Sequence, residues 1–178
     1  MNALSIIDKY YPEDNILKKT LITHSLQVCR RALYVADTHP ELNLDKDILE
    51  QGSMLHDIGI FLTDAPSIHC HGKASYLAHG FLGGQLLRQE GLDVYARICE
   101  RHTGTGLTKE TIQNLHIPIP VQDYIPETME EQVICYADKF YSKSKLNREK
   151  TPQDVYNSLL KFGQEQADKF MAWHELFG

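Results

Sequence analysis

Apolar residues recur along this chain at intervals of three, four and seven, and the strict alternation that marks a half-buried strand is persuasive nowhere. The pattern predicts an all-α protein, a single-domain bundle of about seven helices. A short helix over residues 2–10 precedes a longer one that opens at Tyr11-Pro12-Glu13-Asp14, where proline is tolerated in a first turn and acids favour the helix dipole, and runs to about Ala36. Thr38-His39-Pro40 breaks it, and a third helix after Asp45 carries Ile48, Leu49, Gly52, Leu55 and His56 before Gly59 stops it. Residues 60–73 read as a loop rich in turn formers. Helical periodicity resumes over 74–90, with Gly91 as a C-terminal cap, and again from Asp93 to His102. Thr108 starts a short helix, and His116 to Pro126, with three of the seven prolines, reads as an extended strap suited to a lid. Thr128-Met129-Glu130-Glu131 is a capping box that opens the next helix. The last helix spans 151–177, and its Val155, Leu159, Phe162, Phe170, Trp173 and Phe177 make a wide stripe for the core or for a homodimer surface.

The same periodicity places polar residues where apolar ones belong. His24 shares the inward stripe of Leu17, Leu21, Val28 and Val35, and Asp138 shares a face with Ile134, Ala137 and Tyr141. His102 follows Val94 and Ile98 at intervals of four and emerges at a helix end, beside the loop Thr103-Gly104-Thr105-Gly106. His79 precedes Gly80, Gly83 and Gly84; glycines inside a helix cost about 0.5–1 kcal/mol apiece, a loss that close packing beside a site would offset. His56 and Asp57 lie within an otherwise apolar segment, one turn after Gly52, whose missing side chain lets another helix or a metal with its ligands approach the backbone. Each histidine alone could be a core residue satisfied by a carbonyl. Together, His24, His56, Asp57, His79, His102 and Asp138 come from five helices, and turning them all toward one core is expensive unless a metal ion pairs them. His69-Cys70-His71 reads either as a metal tract or as histidines of a surface loop.

Composition narrows the setting. A chain of 178 residues with 42% hydrophobic content fits one domain over 1–178, with the final helix packing on its core. The net charge of -6 argues against a nucleic-acid polymer as partner. Cys29, Cys70, Cys99 and Cys135 form no C-x-x-C pair, which suits a reducing cytoplasm, and no apolar run approaches the length of a membrane span. Lys139, Lys143, Lys145, Arg148 and Lys150 make the one dense basic stretch, read as a solvated face from which Lys139 or Lys143, close to Asp138, could meet an anionic substrate.

The order His24, His56-Asp57, His79, His102, Asp138 resembles the HD-domain superfamily of metal-dependent phosphohydrolases, and His56-Asp57-Ile58-Gly59 reads as its HDIG signature. The resemblance covers about residues 20–145. It implies His24, His56, Asp57 and Asp138 as ligands of a primary metal, with His79 and His102 added in members that hold two metals and Asp57 bridging. It implies one or two divalent ions, Fe, Mn, Co, Ni or Zn favoured by a histidine-rich donor set over Mg, though availability in the cell can decide. The implied reaction is hydrolysis of a phosphoester or phosphoanhydride of a nucleotide or small phosphorylated metabolite by metal-activated water, with Asp57, His79 and His102 at the reacting centre. Arg101, Lys139 and the Thr103 to Gly106 loop are the candidate substrate contacts. The arrangement is similar to small single-domain members, including the di-iron type that cleaves diadenosine tetraphosphate. It departs from the cyclic-di-GMP branch, lacking Gly-Tyr-Pro and having Thr103 after His102. A di-iron oxygenase of HD-like type and a non-catalytic nucleotide-binding module are the competing readings.

Overall fold

In a computed structural model that describes residues 2–178, nine helices form among the described residues. They are α1 (Ala3–Tyr10), α2 (Ile16–Thr38), α3 (Lys46–Leu55), α4 (His79–Gln89), α5 (Asp93–Arg101), α6 (Lys109–Asn114), α7 (Met129–Asp138), α8 (Pro152–Leu159) and α9 (Gln164–Phe177). The all-α expectation holds. One of the added helices arises because the apolar stripe expected to run through one final helix is cut at Gly163, whose φ of 124° lies outside helical space. Six of the nine helices start at side-chain caps. Asn15, not Pro12, opens α2 by accepting from Lys18 N, and the expected Thr128/Glu131 capping box opens α7. The segment expected to be helical from residue 74 forms α4 only from His79, after a short 3-10 turn over Tyr76–Ala78. Among the described residues the one sheet is within 60–73, a two-residue antiparallel pair of β1 (Asp64–Ala65) and β2 (Cys70–His71).

Two apolar clusters flank the site. One joins Val28, Ala32 and Val35 of α2 to Val133–Ala137 of α7 and to Val155, Leu159, Phe170, Trp173 and Phe177, so the C-terminal stripe serves this chain's own core. The other gathers α1, the end of α3, Ile58, Ile60, Leu87, Ala96 and Cys99 around Leu21. His24 therefore falls on α2 between Leu21 of one cluster and Val28 of the other. The helices meet closely where glycine permits it. A Cβ on Gly52 would lie 2.7 Å from Ile98 Cδ1 and 2.9 Å from Ile134 Cδ1, so the gap admits neighbouring helices and not a metal. A Cβ on Gly59 would run into His79 O and Gly83 N, which ties the turn after His56-Asp57 to the first turns of α4. The glycines of α4 thus offset their conformational cost by close packing, as expected.

Candidate metal centre

Five segments deliver the polar residues to one place. His24 projects from the middle of α2, His56 and Asp57 from the turn that ends α3, His79 from the first residue of α4, His102 from the C-terminal cap of α5 and Asp138 from the last residue of α7. All six are buried. Their donor atoms form two sets that share Asp57: His24, His56, Asp57 and Asp138 in one, Asp57, His79 and His102 in the other, with every donor within 4.8 Å of the rest of its set. Asp57 Oδ2 lies 3.2 Å from His24 Nε2 and 3.0 Å from His56 Nε2, while its Oδ1 lies 3.3 Å from both His79 Nε2 and His102 Nε2. Asp138 Oδ1 completes the first set at 2.9 Å from His24 Nε2 and 3.5 Å from His56 Nε2.

Local backbone geometry sets the tautomers. His56, His79 and His102 each turn Nδ1 to the carbonyl three residues earlier, those of Ser53, Tyr76 and Cys99, at 2.6, 2.5 and 2.7 Å. A neutral ring that donates through Nδ1–H keeps a lone pair on Nε2, the form a metal binds. Three such lone pairs then face inward. His79 Nε2 and His102 Nε2 lie 3.0 Å apart, too close for comfort as two acceptors. Two donors about 2.1 Å from one cation and at right angles would have about this separation. His56 Nε2 and both Asp57 oxygens have no well-formed hydrogen bond although fully buried, so the donor set fits a cation.

The electrostatics of the cradle agree. Burial disfavours ionised carboxylates, yet His56 and Lys143 beside Asp57, and Lys139 and His24 beside Asp138, outweigh it and hold both carboxyls well below the usual range. Burial likewise opposes the His56 imidazolium, but the Asp57 and Asp138 carboxylates prevail and push its pKa up to about 9. His102 goes the other way. Burial, aided by the charge of His56 and His79 against the pull of Asp57, brings it down to about 3, so it is neutral. Protons and ammonium groups supply positive charge to the cradle.

The ammonium groups come from the residues beyond α7. Lys143 Nζ lies 2.6 Å from Asp57 Oδ2, and Lys139 Nζ lies 2.7 Å from Asp138 Oδ2 while donating to His102 O at 2.9 Å. Both stand in the wall of a cavity of about 300 Å³ that His79, His102 and Asp138 line together with Tyr76, Leu159 and Phe162. Thr103 and Gly104 of the expected Gly/Thr loop line it too.

Arg101, expected at the substrate, is engaged elsewhere. Its Nη1 lies 2.8 Å from Glu127 Oε2 and 3.4 Å from Glu131 Oε2 and donates to Ile125 O, and it does not line the cavity. The Pro-rich strap is also absent from the cavity wall. Tyr124 pairs with Leu107 through backbone bonds and packs with Ile112 and Ile117, which makes the strap a small core of its own, and α8 takes the place expected for a lid. His69 and His71 are exposed and belong to neither donor set. Lys143 is the residue that sequence reasoning underweighted; its signal was position, five residues beyond Asp138 in the basic stretch.

A model of the HD domain matches residues 21–142. At 34% identity over 76% of this chain and 71% of the other, the chain is similar to an uncharacterized protein of Methanocaldococcus jannaschii. It is also similar to two proteins named tRNA (cytidine(56)-2'-O)-methyltransferase: one from Picrophilus torridus, 32% identical over 84% of this chain, and one from Thermoplasma volcanium, 28% identical over 97%. This chain spans only 42% and 45% of those two relatives. Among solved structures, the HD domain of the phosphodiesterase PgpH from L. monocytogenes shares the fold, with a TM-score of 0.51, 16% identity and coverage of 92% of this chain and 98% of that one. No helix among the described residues is long and apolar enough to cross a membrane.

Proposed function

Because this chain belongs to the HD-domain family, we propose that its buried cradle works as a metal-dependent phosphohydrolase. One observation carries the reading: two donor sets share the fully buried Asp57, and their His79, His102 and Asp138 line a cavity whose wall presents two ammonium groups. His24, His56, Asp57 and Asp138 would hold one divalent transition ion, and Asp57, His79 and His102 a second. Bound there, such ions supply an acidified water and neutralise charge on a phosphoryl group. The chain's own residues do the rest. The Nδ1–H bonds of His56, His79 and His102 orient neutral imidazoles. Tyr76, stacked on the His79 ring at 4.6 Å between centroids, shields that side from bulk water. Lys139 and Lys143 hold phosphoryl oxygens, since two carboxylates already matched by two lysines leave a centre that becomes strongly cationic once metal enters.

A nucleotide suits the outer part of the cavity. An apolar recess of about 70 Å³, formed by Leu77, Leu107, Leu115 and Phe162, adjoins the phosphoryl site, and Phe162 is 62% exposed there, free to stack on a base. We assign the methyl transfer named for two relatives to the portions of those proteins that lie beyond this chain. A sulfonium methyl donor is itself a cation, and a cationic centre repels it. Four buried, unpaired cysteines fit a reducing, cytoplasmic setting. The test is phosphate release from nucleotides, dinucleoside polyphosphates and sugar phosphates with Mn, Fe, Co, Ni or Mg, in air and without oxygen. Hydrolysis should proceed equally in both. Oxygen uptake without phosphate release would replace it with the di-iron oxygenase, and saturable nucleotide binding without turnover would leave a binding module.

A further inference from the structure

The basic stretch does more than flank the metal centre. Of the 18 Lys and Arg in a chain of net charge -6, six lie between Lys139 and Lys161, with Glu149 and Asp154 as the acids of that segment. Two of the six, Lys139 and Lys143, are taken by the site carboxylates. The other four line a second cavity of about 430 Å³, formed by Lys145, Arg148, Lys150 and Lys161 with Ser144 and one acid, Asp154. It is continuous with the first, because Ser142, Lys150 and Ser158 line both.

These cations are under-compensated. Arg148 pairs with Asp154 at 3.1 Å, but among the described residues Lys145, Lys150 and Lys161 have no carboxylate within salt-bridge distance. Lys150 is half-buried, and desolvation together with the charge of Lys139 lowers its pKa. Keeping like charges close around a concave, partly desolvated surface is costly unless an anion visits it.

Building on the phosphohydrolase reading, we propose that the cavity of Lys145, Arg148, Lys150 and Lys161 is a second anion subsite, which receives a further phosphate of the same substrate molecule. The preferred substrate then carries at least two phosphate groups, one at the metal centre and one held here. A nucleoside polyphosphate and the phosphorylated end of a short oligonucleotide both meet this requirement.

Calorimetric titration of the purified, metal-loaded protein with adenosine 5′-monophosphate, adenosine 3′,5′-bisphosphate, ATP and a 5′-phosphorylated triadenylate tests this without needing turnover. At least one ligand with additional phosphates should bind about tenfold more tightly than the monophosphate. In R148Q/K161Q, two exposed positions outside the metal centre, that advantage should fall to about twofold or less while monophosphate affinity is unchanged. K145Q alone should lower it partway. ATP as the tight ligand identifies a polyphosphate, the triadenylate an oligonucleotide end. Equal affinity across the series, or a preference that survives R148Q/K161Q, overturns the subsite. The two readings fail separately. Hydrolysis of the monophosphate without any preference removes the subsite alone, and a preference without hydrolysis of any ligand removes the catalytic reading alone.

Discussion

Helix α7 and the turn that follows it serve two regions built on opposite principles. Tyr136 and Phe140 turn into an aromatic cluster with Phe170 and Phe177, in which rings lie 5.0–5.5 Å apart and nothing is left to be satisfied. Asp138, between them in sequence, turns instead into the cradle, where Asp57 is fully buried and its oxygens lack well-formed hydrogen bonds. Even the hydroxyl of Tyr136 has a partner, His174 Nδ1 at 2.9 Å. The difference teaches which region stabilises the fold and which one is stabilised by it. The aromatic side gains from burial and is complete without a ligand. On the proposed reading the cradle is completed only by a cation and an anion, and the apolar clusters on either side of His24 hold it in place.

The contrast can be broken most severely at Asp57. Asp57→Asn should lower phosphohydrolase turnover by more than about a thousandfold, and its metal-free melting temperature should also fall, because Lys143 and His56 lose the carboxylate that pairs them. Phe170→Ala should leave the chemistry intact. It should cost about 3–5 kcal/mol of stability in denaturant unfolding, while the folded fraction keeps its metal and its rate.

Removing the metal probes the cradle on its own. At saturation about a hundredfold above the dissociation constant, bound metal contributes about 2.7 kcal/mol, so chelation should lower the melting temperature by about 5–10 °C. The metal-free protein should then show a pH dependence that the loaded protein lacks. His56 has a folded pKa of about 9, above its unfolded value, so the stability it contributes is fully present below about pH 6.5 and is lost as pH rises through about 9. In the loaded protein His56 is a neutral donor, and melting curves should change little over the same window. A metal-free melting temperature that is flat, or that rises, between pH 6.5 and 9 would contradict the charge arrangement. The smallest effect sits at the rim. Phe162→Ala should raise KM for a nucleotide by about tenfold with little change in kcat or in melting temperature, because Phe162 is exposed and only the bound base uses it.

The sequence was legible where helical phase decides the outcome. His24 and Asp138 could be assigned inward because their apolar neighbours recur at 3.6-residue spacing, and the glycines of α4 announced a close approach that Gly59 and Gly83 do make. It was illegible where phase ends. Lys143 lies past the last residue of α7, in irregular backbone that no periodicity orients, yet it reaches Asp57. Arg101 reads as a substrate contact because it precedes His102, but Glu127 and Glu131 claim it, and no local rule links residues that far apart. Phe162 continued an apolar stripe on paper. Gly163 breaks that helix and leaves the ring at the cavity rim.

Elemental analysis of the protein, purified without chelator and without a histidine tag, tests the central claim most directly. The account predicts about one to two transition-metal ions per chain, falling to a small fraction in a folded His56→Ala protein, with phosphoester hydrolysis falling in parallel. A wild-type chain that is folded, hydrolyses phosphoesters and holds no metal, or a His56→Ala chain that keeps both metal and rate, would contradict it.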